Sequence, residues 1–247
     1  MDISELREAL PDHIARLAQA RADIGESVSW YPYDILGNVI HLDGILTGDN
    51  RDLGHLADGK PVADIGAADG DLAFVLEHAA GWEIDIVDNP PTNMNGLKGA
   101  RALAEHLHSK AQIHEIDLDT QFALPRARYG LVLLLGILYH LQNPFYALRA
   151  LSACADHLLL STRVARFAGP DETPIADLPV AYLVGALETN ADATNYWMFS
   201  PFGLRLLVQR AGWEILDEGS VGAVGNSDPS SPDRDERTFM LLKSANG

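Results

Sequence analysis

From Pro61 onward, short apolar segments alternate with helical patterns, and this alternation restricts the fold more than any other feature of the sequence. Repeated strand–helix units predict an α/β fold with a parallel sheet, because parallel neighbours need a long crossover that is usually a helix. Tyr129–Leu135 is almost wholly apolar, as expected of a central strand buried on both faces. The seven predicted strands are residues 62–66, 82–87, 112–116, 129–135, 157–162, 213–217 and 238–243.

Short signals place the ends of the helices between these strands. Gly81 is placed to cap a helix over residues 71–80 at its C-terminus. Asn143-Pro144 and Ser200-Pro201 each put a capping residue directly before a proline, which is favoured at the first helical position. A further helix is predicted over residues 96–107.

Two stretches interrupt the alternation. The first is a helical and aromatic extension, residues 1–50, in which we expect the helical pattern of Ile3–Ile24 to break near Pro11. The second is an insertion, residues 165–199, within an α/β domain over residues 51–247. Residues 219–236 are rich in Gly, Ser, Pro and Asp, which predicts an exposed and mobile loop.

Charge and composition exclude several classes of protein. The chain has 18 Lys and Arg against 35 Asp and Glu, a formal charge of −17, which argues against binding nucleic acid through its backbone. The single cysteine, Cys154, excludes a disulfide framework and a cysteine-built zinc site, and we expect it to be a small buried hydrophobe. We see no secretion signal and no apolar run long enough to cross a bilayer, so we expect a cytoplasmic protein without membrane association. The oligomeric state stays open, with a homodimer as one alternative.

The turn after the first predicted strand reads Gly-Ala-Ala-Asp-Gly over residues 66–70. Glycine permits a positive φ and a close approach of the backbone to a ligand, and ligands of such sheets bind beyond the carboxyl ends of the strands. A dinucleotide fingerprint would place glycines at 66, 68 and 71, but Ala68 and Asp71 stand at two of these positions. The spacing therefore argues against a nicotinamide oxidoreductase.

This segment resembles the first motif of class I S-adenosylmethionine-dependent methyltransferases, an acid followed after one residue by Gly-x-Gly-x-Gly. Asp64, Gly66 and Gly70 match that motif, and Ala68 replaces its middle glycine. Asp88 ends the second strand 24 residues after Asp64, near the offset of a ribose-binding acid, although a solvated surface acid is the alternative. A carboxylate there can accept hydrogen bonds from both ribose hydroxyls. We include its neighbour Asn89 among the predicted cofactor contacts.

Two later segments extend the resemblance. In the family an acid after the third strand accepts a hydrogen bond from the adenine amino group, and the next residue covers the ring. The resemblance implies that Asp117 and Leu118 have these roles. The alternatives are that Asp119 replaces Asp117, or that the acids of this segment are only surface residues. Residues 135–144 resemble the family's loop after the fourth strand and imply that Leu135, Gly136 and Tyr139 lie at the cofactor. The resemblance implies a Rossmann-like, seven-stranded, mostly parallel sheet with helices on both faces and an antiparallel last strand. It also implies S-adenosylmethionine as the cofactor.

A narrower similarity links residues 30–34, 136–140 and 195–201 to the branch of tRNA wobble-uridine methyltransferase-like proteins. Some members of that branch transfer a carboxymethyl group and have a lysine where this chain has Pro32. Because proline cannot neutralise an extra carboxylate, we expect ordinary S-adenosylmethionine. The negative charge argues against a tRNA substrate, and Arg163 and Arg166 suit a small anion better than an RNA.

His140 is the predicted general base, because histidine titrates near neutral pH; the alternative is that it only orients its loop. We predict that Tyr139 is a contact at the catalytic end of the cofactor. No metal is predicted, since His41 and Asp43 have no third partner at a recognisable spacing. We predict that the acceptor substrate contacts an aromatic lid and residues after the fifth strand, with packing as the alternative: Trp30, Tyr31, Tyr33, Arg163, Asn195 and Trp197.

The sequence thus predicts a methyltransferase that acts on an oxygen or nitrogen nucleophile of a small biosynthetic molecule. Residues 51–247 would be its catalytic domain, with residues 1–50 as a lid. A tRNA wobble uridine as the substrate is one alternative, and a non-catalytic protein that retains the fold is another.

Overall fold

A computed structural model describes residues 1–188 and 192–246 of the chain. The chain forms two compact units. Unit 1 comprises Met1–Leu133 and Cys154–His157, and unit 2 comprises Leu134–Ala153 and Leu158–Gly247. The predicted boundary near residue 50 lies inside unit 1, and the division into a lid and a catalytic domain stays a prediction.

Unit 1 is a parallel sheet with helices. Its strand order is β4–β1–β2–β3, and Val62 of β1 lies in register with Leu131 of β4 and Ile84 of β2. The elements are α1 (Ile3–Ile24), α2 (Gly37–Ile45), α3 (Leu53–Ala57), β1 (Val62–Ile65), α4 (Asp71–Ala80), β2 (Ile84–Asp88), α5 (Lys98–His106), β3 (Gln112–Glu115) and the first residues of β4 (Tyr129–Leu135). Helix α1 of the extension packs against α2, α4 and α5.

Helix α1 is continuous, so the predicted break at Pro11 is wrong. A capping box formed by Asp2 and Glu5 begins the helix, and its apolar face is buried. Pro11 lies on the exposed side of the helix, where water can hydrate the carbonyl group that proline leaves without a partner. Burial of one face therefore outweighs the lost hydrogen bond.

Unit 2 continues from the end of β4, where the Gly136 amide donates to the Ser161 carbonyl at 3.0 Å. Its strand order from that point is β5–β11–β10, and β11 runs antiparallel to β10. The further elements are α6 (Pro144–Cys154), β5 (Ala155–Val164), β6 (Phe167–Ala168), β7 (Thr173–Pro174), β8 (Ala181–Leu183), β9 (Trp197–Phe199), α7 (Pro201–Arg210), β10 (Trp213–Gly222) and β11 (Glu236–Ser244). The predicted seven-stranded, mostly parallel sheet with an antiparallel last strand is confirmed.

The sequence did not predict the short strands inside the insertion. β9 lies parallel to β5, with Phe199 opposite Val164, and β8 pairs antiparallel with β9. β6 and β7 form a separate two-stranded sheet. Residues 189–191 of the insertion lie outside the described residues.

The segment predicted to be an exposed and mobile loop, residues 219–236, is exposed only in part. β10 extends to Gly222, and Ser227 and Glu236 are buried with 1% and 0% of their surface exposed. Glu236 accepts two hydrogen bonds from Arg166, both at 2.7 Å. A composition typical of loops could not reveal this partner, which lies 70 residues away along the chain.

Two further predictions concern Cys154 and membrane-spanning segments. Cys154 is only half-buried, so the expectation of a fully buried hydrophobe is wrong. Within residues 1–188 and 192–246, no helix is long and apolar enough to span a bilayer.

Candidate active site

In the turn after β1, every second residue from 66 to 70 has a positive φ. Gly66, Ala68 and Gly70 all take positive φ values, of 69°, 57° and 83°. A Cβ atom on Gly70 would also lie 2.8 Å from the Phe74 ring, so this position excludes a side chain. The three positive φ values coincide with the three glycine positions of the family motif, and Ala68 adopts the conformation although it is not glycine.

Asp64 and Asp88 lie at the carboxyl ends of β1 and β2. Asp64 is 5% exposed, and its Oδ2 atom has no hydrogen-bond partner among the described residues. Burial, reinforced by the charge of Asp88, raises the pKa of Asp64 to about 7. A buried carboxylate oxygen without a partner fits a ligand that brings a cationic or hydrogen-bond-donating group.

The Asp88 carboxylate faces the same turn. It accepts hydrogen bonds from the amides of Ala68 (3.1 Å) and Asn89 (2.7 Å) and from Nδ2 of Asn93 (3.0 Å). Burial raises the pKa of Asp88 above its usual range. The donors hold the carboxylate in one orientation. Oδ2 accepts two of these bonds and Oδ1 only one, so Oδ1 keeps capacity for a further donor such as a ribose hydroxyl.

Asp69, inside the turn, is a site residue that the sequence reasoning missed. It is 1% exposed and accepts from the Tyr31 amide and from Nδ2 of Asn95, both at 2.8 Å. A Cβ atom on Gly99 would lie 1.9 Å from the Asp69 Oδ1 atom, so glycine at 99 makes room for this carboxylate. The only local signal was an acid within a glycine-rich turn.

The aromatic segment, residues 30–34, forms hydrogen bonds with the β1 turn and with the segment after β2. The Tyr31 hydroxyl accepts from the Met94 amide at 2.7 Å, and burial raises the pKa of Tyr31 to about 12. Arg21 lies over the Trp30 ring at 5.3 Å and donates to Asp71 at 2.6 Å. Tyr33 is 63% exposed. The contacts of Trp30 and Tyr31 are packing contacts within unit 1, and the substrate roles of the three aromatic residues stay predictions.

The segment after β3 begins beside Asp88, whose carbonyl group accepts from the Ile116 amide at 3.0 Å. Leu118 is 6% exposed, and the Asp117 carboxylate accepts from the Asp119 amide at 2.9 Å. Unit 1 therefore contains the predicted cofactor residues Asp64, Gly66, Ala68, Gly70, Asp88, Asn89, Asp117 and Leu118. Leu135, Gly136 and Tyr139 belong to unit 2.

In unit 2, the half-buried Leu135 ends β4 and Gly136 follows it with φ of 77°. A Cβ atom on Gly136 would meet only two described groups within 4 Å beyond its chain neighbours. These are Nη1 of Arg237 at 3.7 Å and the hydroxyl oxygen of Tyr139 at 3.9 Å. Burial raises the pKa of Tyr139, so its hydroxyl stays protonated at neutral pH.

Hydrogen bonds fix the tautomer of His140. Its Nδ1 atom lies 3.1 Å from the Thr194 carbonyl oxygen and 3.0 Å from the Thr194 hydroxyl, which itself donates to Asp192 at 2.6 Å. Both Thr194 oxygens therefore act as acceptors, which assigns the proton to Nδ1 and leaves a lone pair on Nε2. Burial lowers the pKa of His140, so the ring is neutral at pH 7. Nε2 can thus accept a proton.

The other predicted substrate residues are also in unit 2. Arg163 is 5% exposed, and its Nε donates to Asp235 at 2.6 Å. Arg166 is occupied by Glu236, so it is not available for the small anion that the sequence suggested. Asn195 is 4% exposed. The buried Nε1 atom of Trp197 has no hydrogen-bond partner among the described residues.

In the part of the chain that the structure describes, no three His, Cys, Asp or Glu side chains form a group that could hold a metal ion. Asp43, one of the two residues considered in the sequence, instead forms ion pairs with Arg7 and Arg51.

A family model described as a methyltransferase domain matches residues 5–218 of the chain. The chain belongs to this family of methyltransferases. The predicted enzyme class and cofactor, a methyltransferase that uses S-adenosylmethionine, are confirmed. The narrower resemblance to the tRNA wobble-uridine branch stays a prediction.

Solved structures share the fold of this methyltransferase at low sequence identity. The N-terminal domain of EvdMO1 with SAH bound is 15% identical, with a TM-score of 0.56, and the alignment covers 94% of this chain and 96% of that one. The [4+2]-cyclase SpnF is 12% identical, with a TM-score of 0.57 and coverage of 96% and 95%. The MccD protein is 12% identical, with a TM-score of 0.55 and coverage of 75% and 90%. No curated protein matches the chain by sequence.

Proposed function

We propose that this methyltransferase transfers the methyl group of S-adenosylmethionine to an oxygen or nitrogen atom of a small molecule. The buried carboxylate of Asp64, whose Oδ2 atom has no partner beside a turn of three positive φ values, carries the cofactor part of the proposal. An unsatisfied buried carboxylate costs free energy, so a ligand that supplies a donor is stabilised there.

Each acid in unit 1 suits a different part of this cofactor. Asp64 and the turn after β1 would hold its amino acid portion, because a buried carboxylate attracts an ammonium group. Asp88 would accept from the ribose hydroxyls, and its amide and side-chain donors keep it oriented for them. Asp117 and Leu118 would meet the adenine.

When bound, the cofactor supplies an electrophilic methyl group on a sulfonium. The protein's part is to position the acceptor, exclude water and remove a proton where the nucleophile carries one. His140 suits the last task, since its Nε2 atom holds a lone pair and its ring is neutral at pH 7. Tyr139, whose ring centroid lies 4.2 Å from that of His140, would contact the reacting groups.

The distribution of charge supports a small acceptor. Ten of the 14 arginines pair with carboxylates, and the chain carries a formal charge of −17. Few cations are left to form the positive surface that a phosphate backbone needs. The fold also occurs in a [4+2]-cyclase, so the reaction must be tested on this chain itself.

Two measurements test the proposal. Calorimetric titration with S-adenosylhomocysteine should show saturable binding, and titration with NADH should not. Incubation with labelled S-adenosylmethionine and a metabolite extract should then give a labelled small product that is heavier than its precursor by one CH₂ group. Binding without turnover on any extract would favour the non-catalytic alternative, and a labelled tRNA would contradict the small acceptor.

A further inference from the structure

Two hydrogen-bond donors flank an open position over Gly136 in unit 2. We propose that this position, between the Arg237 guanidinium and the Tyr139 hydroxyl, binds an oxyanion of the acceptor, a carboxylate or a phosphate monoester. The inference rests on the proposed function and specifies its substrate class: a small acid that carries a nucleophilic hydroxyl or amino group.

Arg237 is the available cation of this region. Arg237 is half-buried, and no carboxylate of the described residues lies within 4 Å of its side-chain nitrogens. Its two predecessors in the chain, Asp235 and Glu236, instead pair with Arg163 and Arg166. Because both of these acids pair with other arginines, the positive charge of Arg237 is available to a ligand.

Tyr139 supplies the second donor. No described residue forms a hydrogen bond with its hydroxyl group, which burial keeps protonated. Both Arg237 and Arg163 lie close enough to act electrostatically on Tyr139 and His140. The Arg237 guanidinium and the neutral Tyr139 hydroxyl lie 3.7 and 3.9 Å from one point. Together they suit a planar or tetrahedral oxyanion, because charge-assisted hydrogen bonds strengthen when water is excluded.

Segments that form backbone hydrogen bonds with Gly136 and Tyr139 carry further buried donors without partners. Ser161, whose carbonyl accepts from Gly136, and Thr162 are both fully buried, and their hydroxyls have no partner among the described residues. Tyr196 donates its amide to the Tyr139 carbonyl at 2.9 Å, which places Trp197 and its unpartnered Nε1 next in the chain. Buried donors without acceptors are costly, and a polar ligand or ordered water would satisfy them.

The position of His140 limits the length of the acceptor. Its ring lies beside that of Tyr139, so an oxyanion held by the Tyr139 hydroxyl would place the rest of a short acceptor near the imidazole. The acceptor is therefore expected to carry its nucleophile within a few bonds of its acidic group. Gly136 is needed because any side chain at this position would occupy the space between the two donors.

The test uses the full chain with simple anions as probes. Benzoate and inorganic phosphate are titrated into the protein saturated with S-adenosylhomocysteine, and neutral benzamide is the reference. We expect at least one anion to bind and benzamide not to bind. Arg237→Gln should weaken anion binding about tenfold or more, with Arg237→Lys intermediate. Arg210→Gln, which removes an exposed arginine at the end of α7, should leave it unchanged.

Which of the two anions binds distinguishes a carboxylate from a phosphate monoester. The inference would be overturned if Arg237→Gln bound each anion as tightly as wild-type protein does. It would also be overturned if wild-type protein bound neither anion. An equal loss of S-adenosylhomocysteine affinity in Arg237→Gln would place Arg237 at the cofactor and would overturn it too. The proposed function fails separately, if wild-type protein binds no S-adenosylhomocysteine.

Discussion

The turns that follow β1 and β4 begin alike but differ in the charged groups around them. Each begins with a glycine of positive φ after an apolar strand, Gly66 at 69° and Gly136 at 77°. Buried acids, Asp64 and Asp69, lie at the first, whereas Arg237 lies 3.7 Å from the Cβ position of Gly136 at the second. A strand that ends at a glycine of positive φ can thus serve a cationic or an anionic ligand, depending on the charged groups around the turn.

The largest effect expected concerns His140, in the turn after β4. His140→Ala should reduce the methyl-transfer rate by about 10²- to 10⁴-fold if its imidazole removes a proton. His140→Asn keeps a donor near the position of Nδ1, so it can still bind Thr194 but cannot act as a base. Equal loss in both variants supports the base, and full activity of His140→Asn would show that His140 only orients its loop.

The pH profile sharpens the same prediction. Burial lowers the pKa of His140, so kcat/KM should rise with pH through a pKa below the usual value for histidine and be level at neutral pH. A profile that still rises above pH 8 would identify another group as the base.

The second prediction concerns Asp88 in unit 1. Asp88→Ala should weaken S-adenosylhomocysteine binding about 100-fold or more, because charge-assisted hydrogen bonding to the ribose is lost. Asp88→Asn, which preserves the side-chain shape, should lose less. Asp12→Ala, at an exposed position of α1, is the control and should bind normally. Unchanged affinity in Asp88→Ala, measured by calorimetry, would refute the ribose assignment.

Asp64 should show opposite effects on stability and on binding. Its pKa is raised to about 7 in the folded protein, so its contribution to stability is full below pH 4 and falls as the pH rises from about 4 to 7. Asp64→Asn avoids this loss and should be more stable at pH 8 by about 1–3 kcal/mol. It should also bind S-adenosylhomocysteine about tenfold more weakly. Urea unfolding at pH 4 and pH 8 checks the first effect; lower stability than wild type at pH 8 would contradict it.

The smallest effect concerns the backbone of the β1 turn. Ala68 has φ of 57°, which costs a residue with a side chain roughly 1 kcal/mol relative to glycine. Ala68→Gly should therefore raise the free energy of unfolding by about 1 kcal/mol. The neighbouring Ala67 has no positive φ, so Ala67→Gly should lower it by a similar amount. Identical changes in both variants would show that the left-handed conformation carries no strain.

Local signals predicted much of the fold because their causes lie within a few residues. Gly81 adopts the left-handed conformation that ends α4, and the Ser200 hydroxyl accepts from the Gly203 amide at the start of α7. The break expected at Pro11 failed because burial of a whole helix face decides the outcome there. The exposed loop expected at residues 219–236 was wrong for its buried part, because Arg166, distant in sequence, pairs with Glu236.

Among the site residues, too, those with a local sequence signal could be predicted and those without one could not. Gly66, Ala68 and Gly70 formed a recognisable pattern, and all three adopt the backbone that this pattern implies. Arg237 had no local signal, since its availability depends on which arginines occupy Asp235 and Glu236. Sequence patterns report backbone requirements well, whereas the assignment of ion pairs depends on tertiary structure.

The Asp69 contacts restrict how this enzyme can be shortened. A version without the aromatic segment would remove the Tyr31 amide and leave the Asp69 carboxylate, only 1% exposed, with fewer donors inside the β1 turn. The β1 turn and the extension thus depend on each other as parts of one unit. Miniaturisation or domain transplantation that treats the first 35 residues as dispensable would disturb the turn before it touched any residue of the sheet.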